Sequence, residues 1–213
     1  DCYVFSAGNG KGQSMIGASP ERLLSVQNQR LITDALAGSA PRGQTAAEDQ
    51  QLAQQLLNSD KEQREHRLVV DFITQQLAAV GLVPHYAAVP TLLQLSNIQH
   101  LHTPIHAAFS AEQHPLEILA KLHPTPAVAG MPRAIACQQI RQYEQFERSL
   151  YAAPLGWVDA QGNAEFIVGI RSALLKGNQA RLYAGAGIVA GSDPARELAE
   201  VRLKLQALLQ ALV

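Results

Sequence analysis

Cysteine is nearly absent: Cys2 and Cys137 are the only two among 213 residues. A disulfide framework is thereby excluded, and the thiol count fits a reducing compartment such as the cytoplasm. Charge is scarce as well. Asp, Glu, Lys and Arg make up 16% of the chain, against about 25% in an average soluble domain, so neutral polar side chains, Gln above all, must cover much of the surface. Neither sign is in excess, since 17 Lys and Arg face 18 Asp and Glu. That balance lacks the basic stripe that gives affinity for a phosphate backbone, so no nucleic-acid partner is expected. No apolar run approaches the ~18–20 residues of a membrane span, so no membrane association is expected either.

What the chain does have is alternation and helical periodicity in blocks. Short strands are expected over 2–6 and 14–17, around the turn Gly8-Asn9-Gly10-Lys11-Gly12, and over 22–27 and 30–36, around Asn28-Gln29. Ala37 to Gly43 reads as a loop. Helices are expected over 47–57, then over 61–80 up to Gly81. Strand character returns over 83–94 and 98–109, followed by helices over 114–122 and 132–149. A hairpin around Gln161-Gly162-Asn163 and strands to about 175 and over 180–184 complete the β part. The last helix opens with Asp193 as N-cap and Pro194 at the first helical position, then runs to Val213. Hairpin connections and segregated blocks indicate an α+β fold with largely antiparallel sheets, helices packed on the outside, in one domain. The opening Asp1-Cys2-Tyr3-Val4-Phe5-Ser6 reads as a strand already under way, and the chain closes inside a helical pattern. The expectation is the C-terminal portion of a longer protein.

The carboxylates carry the most information. Stepping back by three and four from Val69, Phe72, Ile73 and Leu77 puts Glu62, Glu65 and His66 on the same helix face. In the last helix Val201, Leu205, Leu208 and Leu212 define an inner face that Glu197 continues, with Glu200 one step round. Burying an unpaired carboxylate is costly unless a cation or a proton balances it. Acidic groups from the first turns of two helices suit a hard divalent ion that keeps several waters, namely Mg²⁺. Solvated helix starts favoured by the helix dipole, and an i,i+4 surface pair of Glu200 with Lys204, account for the same residues without a metal. The seven histidines show no ligand spacing. Cys137 reads as a small buried hydrophobe. Arg171 stands on an alternating strand from Ile167 to Ala173, inward or outward.

Several segments together resemble the chorismate-utilising enzymes of menaquinone, siderophore, salicylate and tryptophan biosynthesis. They are Gly17-Ala18-Ser19-Pro20-Glu21-Arg22-Leu23-Leu24, Leu36-Ala37-Gly38-Ser39-Ala40, Lys61…Glu65-His66, Gln99-His100-Leu101, and His123-Pro124-Thr125-Pro126-Ala127 on to Gly130. Gly156-Trp157, Gly169-Ile170-Arg171-Ser172-Ala173, Ala184-Gly185-Ala186-Gly187-Ile188-Val189, and Glu197-Leu198-Ala199-Glu200 with Lys204 complete the set, in the family's order. Ala127 stands where amine-using members carry Thr, which makes this stretch similar to the isochorismate-forming type, with salicylate-forming members as the alternative.

The resemblance implies the α/β sandwich fold of that family, residues 1–213 being its chorismate-binding domain in C-terminal portion. It also implies an isomerase that adds water at C2 of chorismate while the C4 hydroxyl leaves, monomeric at full length, with Mg²⁺ as cofactor. Glu65 and Glu200 match its metal ligands, and Glu62 and Glu197 the holders of metal-bound water. Glu21 matches the general acid, and His100 a histidine beside the reacting ring. Arg171 and Lys204 match the grip on the pyruvyl carboxylate, with Tyr151, the Gly185 backbone, Ala127 and Ser39 alongside. The family's water-activating lysine has no match here, since Lys11 sits in a polar turn. A fragment inactive by itself, exposing apolar sheet surface, is therefore expected. A non-catalytic module of the same architecture is the remaining alternative, against which the retention of clustered, mutually repelling carboxylates argues.

Overall fold

The structure, a computed structural model, describes residues 2–110 and 112–212; Asp1 and Val213, named above as the ends of the first strand and the last helix, lie outside them. The expected hairpins form, but they are divided between two sheets. Strands β1 (Tyr3–Gly8), β2 (Gln13–Ser19), β10 (Ser172–Lys176) and β11 (Gln179–Tyr183) make an antiparallel four-stranded sheet in the order β1-β2-β10-β11. The second sheet has seven strands. They are β3 (Arg22–Gln27), β4 (Arg30–Pro41), β5 (His85–Tyr86), β6 (Thr91–Gln94), β7 (Ile98–Ala108), β8 (Pro154–Val158) and β9 (Ala164–Val168), in the order β5-β7-β4-β3-β9-β8 with β6 also on β7. The α+β reading with antiparallel sheets holds.

Turn chemistry explains the hairpins. Asn9 Oδ1 accepts the Lys11 and Gln13 backbone N–H groups at 2.8 and 3.2 Å, closing β1 onto β2. Asn28 and Gln29 both take positive φ (50° and 59°), the two-residue geometry whose twist matches antiparallel strands.

The loop expected over 37–43 is mostly strand. β4 continues to Pro41, opposite Ile98 of β7, through a register shift between Ala37 and Ser39. Gly38 lies at that shift with φ +77°, a conformation a side chain disfavours. The run of small residues that reads as a loop is thus a bulged strand.

Helix α1 (Ala46–Asn58) and α2 (Asp60–Ala79) are capped by the Thr45 and Ser59 hydroxyls. Along α2 the stripe is buried as expected: Glu62, His66, Val69, Phe72, Ile73 and Leu77 face inward. It packs with α3 (Pro115–Leu122) against Leu23, Leu31, Ile105 and Phe166 of the seven-stranded sheet. Each such side chain removed from water is worth about 1.5–3 kcal/mol. His66 Nε2 pairs with Thr103 Oγ1 at 2.8 Å, tying helix to sheet.

A second, smaller core of Met15, Tyr151, Ala152 and Tyr183 lies under the four-stranded sheet, and Val128 and Ile170 touch both cores.

Other expectations need correction. The helix proposed over 132–149 is α5 (Arg133–Tyr143), preceded by the single turn α4 (Pro126–Ala129). Among its residues none is buried, so Cys137 is half-exposed rather than part of a core. The strand proposed over 83–94 is two short ones. In α6 (Pro194–Leu212), where Asp193 caps the Arg196 N–H at 2.9 Å, only Glu197 and Leu208 are buried, and Leu212 is exposed. The helix rests on the fold from Glu197 to Leu208, and its last turn is exposed. Val4 on β1 and Trp157 on β8, the outermost strands of their sheets, are exposed.

A Cβ at Gly17 would fall 2.5 Å from the Phe5 ring and 2.9 Å from the Arg171 carbonyl oxygen. Gly17→Ala is therefore expected to lower stability by about 1–3 kcal/mol through overpacking, read as a lower urea midpoint with unchanged slope; an unchanged midpoint would show that β2 has slack there.

Candidate active site

Two places where the chain passes from one sheet to the other form the centre of the site. Residues 20–21 link β2 to β3, and residues 169–171 link β9 to β10. The uninterrupted strand from Ile167 to Ala173 expected from alternation is therefore two strands in two sheets, with Arg171 at the crossing. The crossings hold each other. Ala18 N–H donates to the Arg171 carbonyl, and Val168 N–H to the Glu21 carbonyl, both at 3.1 Å. Glu21 and Arg171 are 4% and 8% exposed, and both face one cavity between the two cores.

Glu21, Ser39, Glu65, His100, Ala127, Tyr151, Arg171, Gly185 and Lys204 all line that cavity, so the structure brings these expected site residues together from β4, α2, β7, α4 and α6 and the connections between elements. Glu62, Glu197 and Glu200 line an adjoining cavity with Lys61. The carboxylate cluster forms the wall between the two.

Glu21 has its pKa pushed up to about 8, by burial first and then by the charge of Asp34, against the pull of Lys204 and Arg171. At neutral pH it is a protonated carboxylic acid, the state a proton donor needs. His100 is a different kind of group. Its Nε2 lies 2.9 Å from Arg171 Nη2, and its Nδ1 lies 2.9 Å from Ser39 Oγ and 3.3 Å from the Gly38 carbonyl. A guanidinium only donates, so Nε2 accepts and the proton resides on Nδ1, a tautomer assigned from these partners. Burial, then the charges of Arg171 and Lys204, hold the imidazole well below its ordinary pKa. His100 is thus neutral, and it orients Arg171 rather than supplying a proton. Arg171 itself has φ +51°, a left-handed backbone that costs a non-glycine residue about 1–3 kcal/mol and persists only where the surroundings impose it.

The acidic wall is compensated from within. Lys61 Nζ stands 3.1 Å from Glu62 Oε1, 3.3 Å from Glu65 Oε2 and 3.0 Å from Glu197 Oε1. Burial disfavours charge on Lys61, but the hydrogen bond with Glu197 and the charges of Glu65 and Glu62 outweigh it and raise its pKa. Lys204 pairs with Glu200 and donates to the Gly185 carbonyl at 3.0 Å, so the i,i+4 pair is real, though turned toward the cavity. Glu62 stands three residues after the Ser59 cap, yet its Oε2 accepts the Ser39 N–H of the β4 bulge at 3.1 Å. Glu65 has its pKa raised by burial, opposed by Lys61 and reinforced by Glu62 and Glu200. A Cβ on Gly187 would fall 2.5 Å from Glu65 Oε1, so a side chain there would displace the Glu65 carboxylate.

Among the described residues no three His, Cys, Asp or Glu side chains stand ready around a common point as metal ligands. An ammonium group stands between them instead. The donor set of four carboxylates is nevertheless the chemistry that suits a hard divalent cation, and Lys61 marks where positive charge is wanted.

Two further charged residues belong to the site. Lys61 stands in the sequence only as part of a motif, although its place four residues before Glu65 is the spacing of an ion pair. Arg148 also lines the cavity, lies 5.6 Å from the Tyr151 ring centroid, and is fixed by Glu144 and the Val128 carbonyl; the Glu144–Arg148 spacing was the available signal.

A fold of two sheets with a protonated acid, four cations (Lys61, Arg148, Arg171 and Lys204) and four carboxylates at their seam defines a site for an anionic small molecule. The sequence model described as chorismate binding enzyme matches residues 1–213, and the chain belongs to that family. It is 45% identical over its whole length to the salicylate biosynthesis isochorismate synthase of Pseudomonas aeruginosa, of which it covers 44%. The menaquinone-specific isochorismate synthase MenF of Escherichia coli superposes with a TM-score of 0.88 at 39% identity, over 100% of this chain and 49% of that one. Anthranilate synthase component I of Streptococcus pneumoniae gives 0.80 at 28%, over 96% and 45%. The chain thus spans about half the length of the relatives it matches. No helix among the described residues is long and apolar enough to cross a membrane.

Because Glu21 holds its proton more tightly folded than unfolded, the stability this group contributes is fully present below pH 4.5 and is lost as pH rises to about 8. Glu21→Gln removes that loss. The variant's stability relative to the native chain, from urea unfolding, is expected to be flat below pH 4.5 and to grow across this window; a pH-independent difference would mean that Glu21 ionises normally.

Proposed function

We propose that this chain carries the substrate grip and the acid of an isochorismate synthase, a Mg²⁺-dependent isomerase that adds water at C2 of chorismate while the C4 hydroxyl departs. The observation that carries the reading is the convergence of a protonated Glu21 with Arg171 and Lys204 on one cavity. Hydroxide is a poor leaving group, so a neutral carboxylic acid beside it lowers the barrier by protonating the oxygen as the bond breaks. A leaving group that departs as water needs no metal for that step; it needs Glu21 kept neutral, which burial and Asp34 accomplish.

Charge balance supports the cation. Among the described residues the four carboxylates Glu62, Glu65, Glu197 and Glu200 are contacted by two ammonium groups, Lys61 and Lys204, so the cluster is negative before a substrate with two carboxylates enters. A divalent ion held by those four carboxylates would supply the missing positive charge for one substrate carboxylate. Arg171 grips the other. Its guanidinium presents a fixed fork to two carboxylate oxygens, and His100, itself held by Ser39 and the bulge carbonyl, keeps the fork aimed. Lys204 adds charge from α6. Tyr151, stacked on Tyr183 with ring centroids 5.1 Å apart, walls the cavity and excludes water, and its hydroxyl approaches the Gly185 backbone. Ala127 in the cavity wall supports water rather than an amine as the attacking group, and the relatives' names support isochorismate over salicylate as product.

No residue of this chain is assigned as the base that activates the water. Lys11 does not line the cavity, Lys61 and Lys204 are engaged by carboxylates, and we place the base in the part of the relatives' length that this chain does not span. The expected behaviour is binding without turnover. Calorimetric titration should show chorismate binding that Mg²⁺ strengthens, and Glu65→Ala should abolish that strengthening. Arg171→Lys, which trades a fork for a point charge, should weaken binding by about tenfold or more. Absence of any Mg²⁺-dependent chorismate binding overturns the reading, and isochorismate production by the 213-residue chain alone overturns the placement of the base.

A further inference from the structure

Neither the chemistry above nor the family likeness assigns a role to Lys61, and its position is unusual. Three carboxylates from two helices, Glu62 and Glu65 of α2 and Glu197 of α6, each lie within 3.3 Å of its Nζ. It occupies the space in which a cation shared by the two helices would have to stand. A divalent ion bound by Glu65 and its neighbours and an ammonium in contact with the same oxygens cannot coexist without the ammonium losing partners. The stem that carries it is four carbons long and flexible, and Lys61 also lines the second cavity, beside Pro41, Ile98 and Leu203. The ammonium therefore has room to withdraw on the side away from the substrate cavity, with Glu62 and Glu197, which line that same second cavity, still within its reach.

We propose that Lys61 is a built-in counter-ion that fills the divalent-cation position when the metal is absent and swings into the second cavity when it binds, so that the site's metal affinity is set by competition with its own lysine. The inference rests on the reading that a divalent cation binds among these carboxylates. Its physical cause is simple. Four carboxylates facing one another without a cation would repel and open the contact between the first turns of α2 and α6, so a resident positive charge keeps the two helix starts together until the metal replaces it. The competition also raises the metal concentration needed to fill the site, because part of the binding free energy is spent in displacing the lysine.

The test uses the whole chain with Mg²⁺ or Mn²⁺ and no substrate. Titration calorimetry is carried out on the native chain, Lys61→Met and Lys61→Arg, and the binding of Mn²⁺ is followed by electron paramagnetic resonance as a second readout. Lys61→Met, nearly isosteric and uncharged, is expected to bind Mg²⁺ at least tenfold more tightly than the native chain. It should also melt at lower temperature without metal and recover the native melting temperature with it. Lys61→Arg, which keeps the charge, should bind no tighter than the native chain, and it supplies the comparison if the methionine variant fails to fold without metal. Equal Mg²⁺ affinity in native, methionine and arginine proteins, or weaker binding by Lys61→Met, overturns the proposal while leaving the metal site standing. Failure of native chain and variants alike to bind Mg²⁺ or Mn²⁺ overturns the metal reading itself.

Discussion

Five carboxylates meet at one seam of this molecule, and the rest of the site exists to keep them there. Glu21, Glu62 and Glu197 are buried, and Glu65 and Glu200 have side chains only 15% and 14% exposed. Gathering that much like charge away from water is unfavourable unless each charge is removed or matched. The chain uses both routes. Glu21 escapes the cost by holding its proton up to about pH 8. The other four remain close to Lys61 and Lys204, which come from the same two helices as the carboxylates themselves. A site assembled in this way is poised for anions and cations together: it has a proton to give, positive groups to grip with, and carboxylate oxygens suited to a hard metal.

The two sheets make this arrangement possible. A single continuous sheet would present its side chains on two faces and offer no place where both ends of a strand connection converge. Here the chain leaves one sheet for the other at residues 20–21 and at 169–171, and the two crossings are hydrogen-bonded to each other. Backbone leaving a sheet frees its polar groups and its side-chain directions, so Glu21 and Arg171 can point into the gap between the cores rather than along the pleat. The bulge at Gly38 performs a similar task on β4. It turns the Ser39 N–H out of the ladder to Glu62, and the Gly38 carbonyl and Ser39 hydroxyl toward His100.

How much of this could be read from the sequence follows from which signals are local. The α2 stripe was legible down to Glu62 and His66 because helical period links every position to the next turn. Strand pairing through the Asn28-Gln29 turn was legible for the same reason. What escaped depends on partners distant in the chain. Alternation from Ile167 to Ala173 runs on through a crossing that only the neighbouring sheet reveals. Ala37 to Pro41 looks like a loop because small residues carry no β signal, and it pairs because β7 lies beside it. The inner face of α6 is apolar to its end, yet Leu212 is exposed, since periodicity marks a face without saying whether anything covers it. The roles of Glu21, Arg171 and Lys204 came from likeness to a family; their convergence came from the fold.

The cations at the seam differ in how firmly they are held, and that difference divides their work. Arg171 is over-determined: a left-handed backbone, a carbonyl bonded to Ala18 and a guanidinium bonded to a neutral histidine fix it before any ligand arrives. Orientation of a substrate is best assigned to such a group, because little ordering entropy remains to be lost on binding. Lys61 and Lys204 carry their charge on flexible stems and are held by carboxylates rather than by backbone geometry. Groups of that kind can surrender their partners to an incoming ion or ligand without disturbing the sheets. The fold therefore places its rigid cation at the crossing between the sheets and its exchangeable ones on the helices.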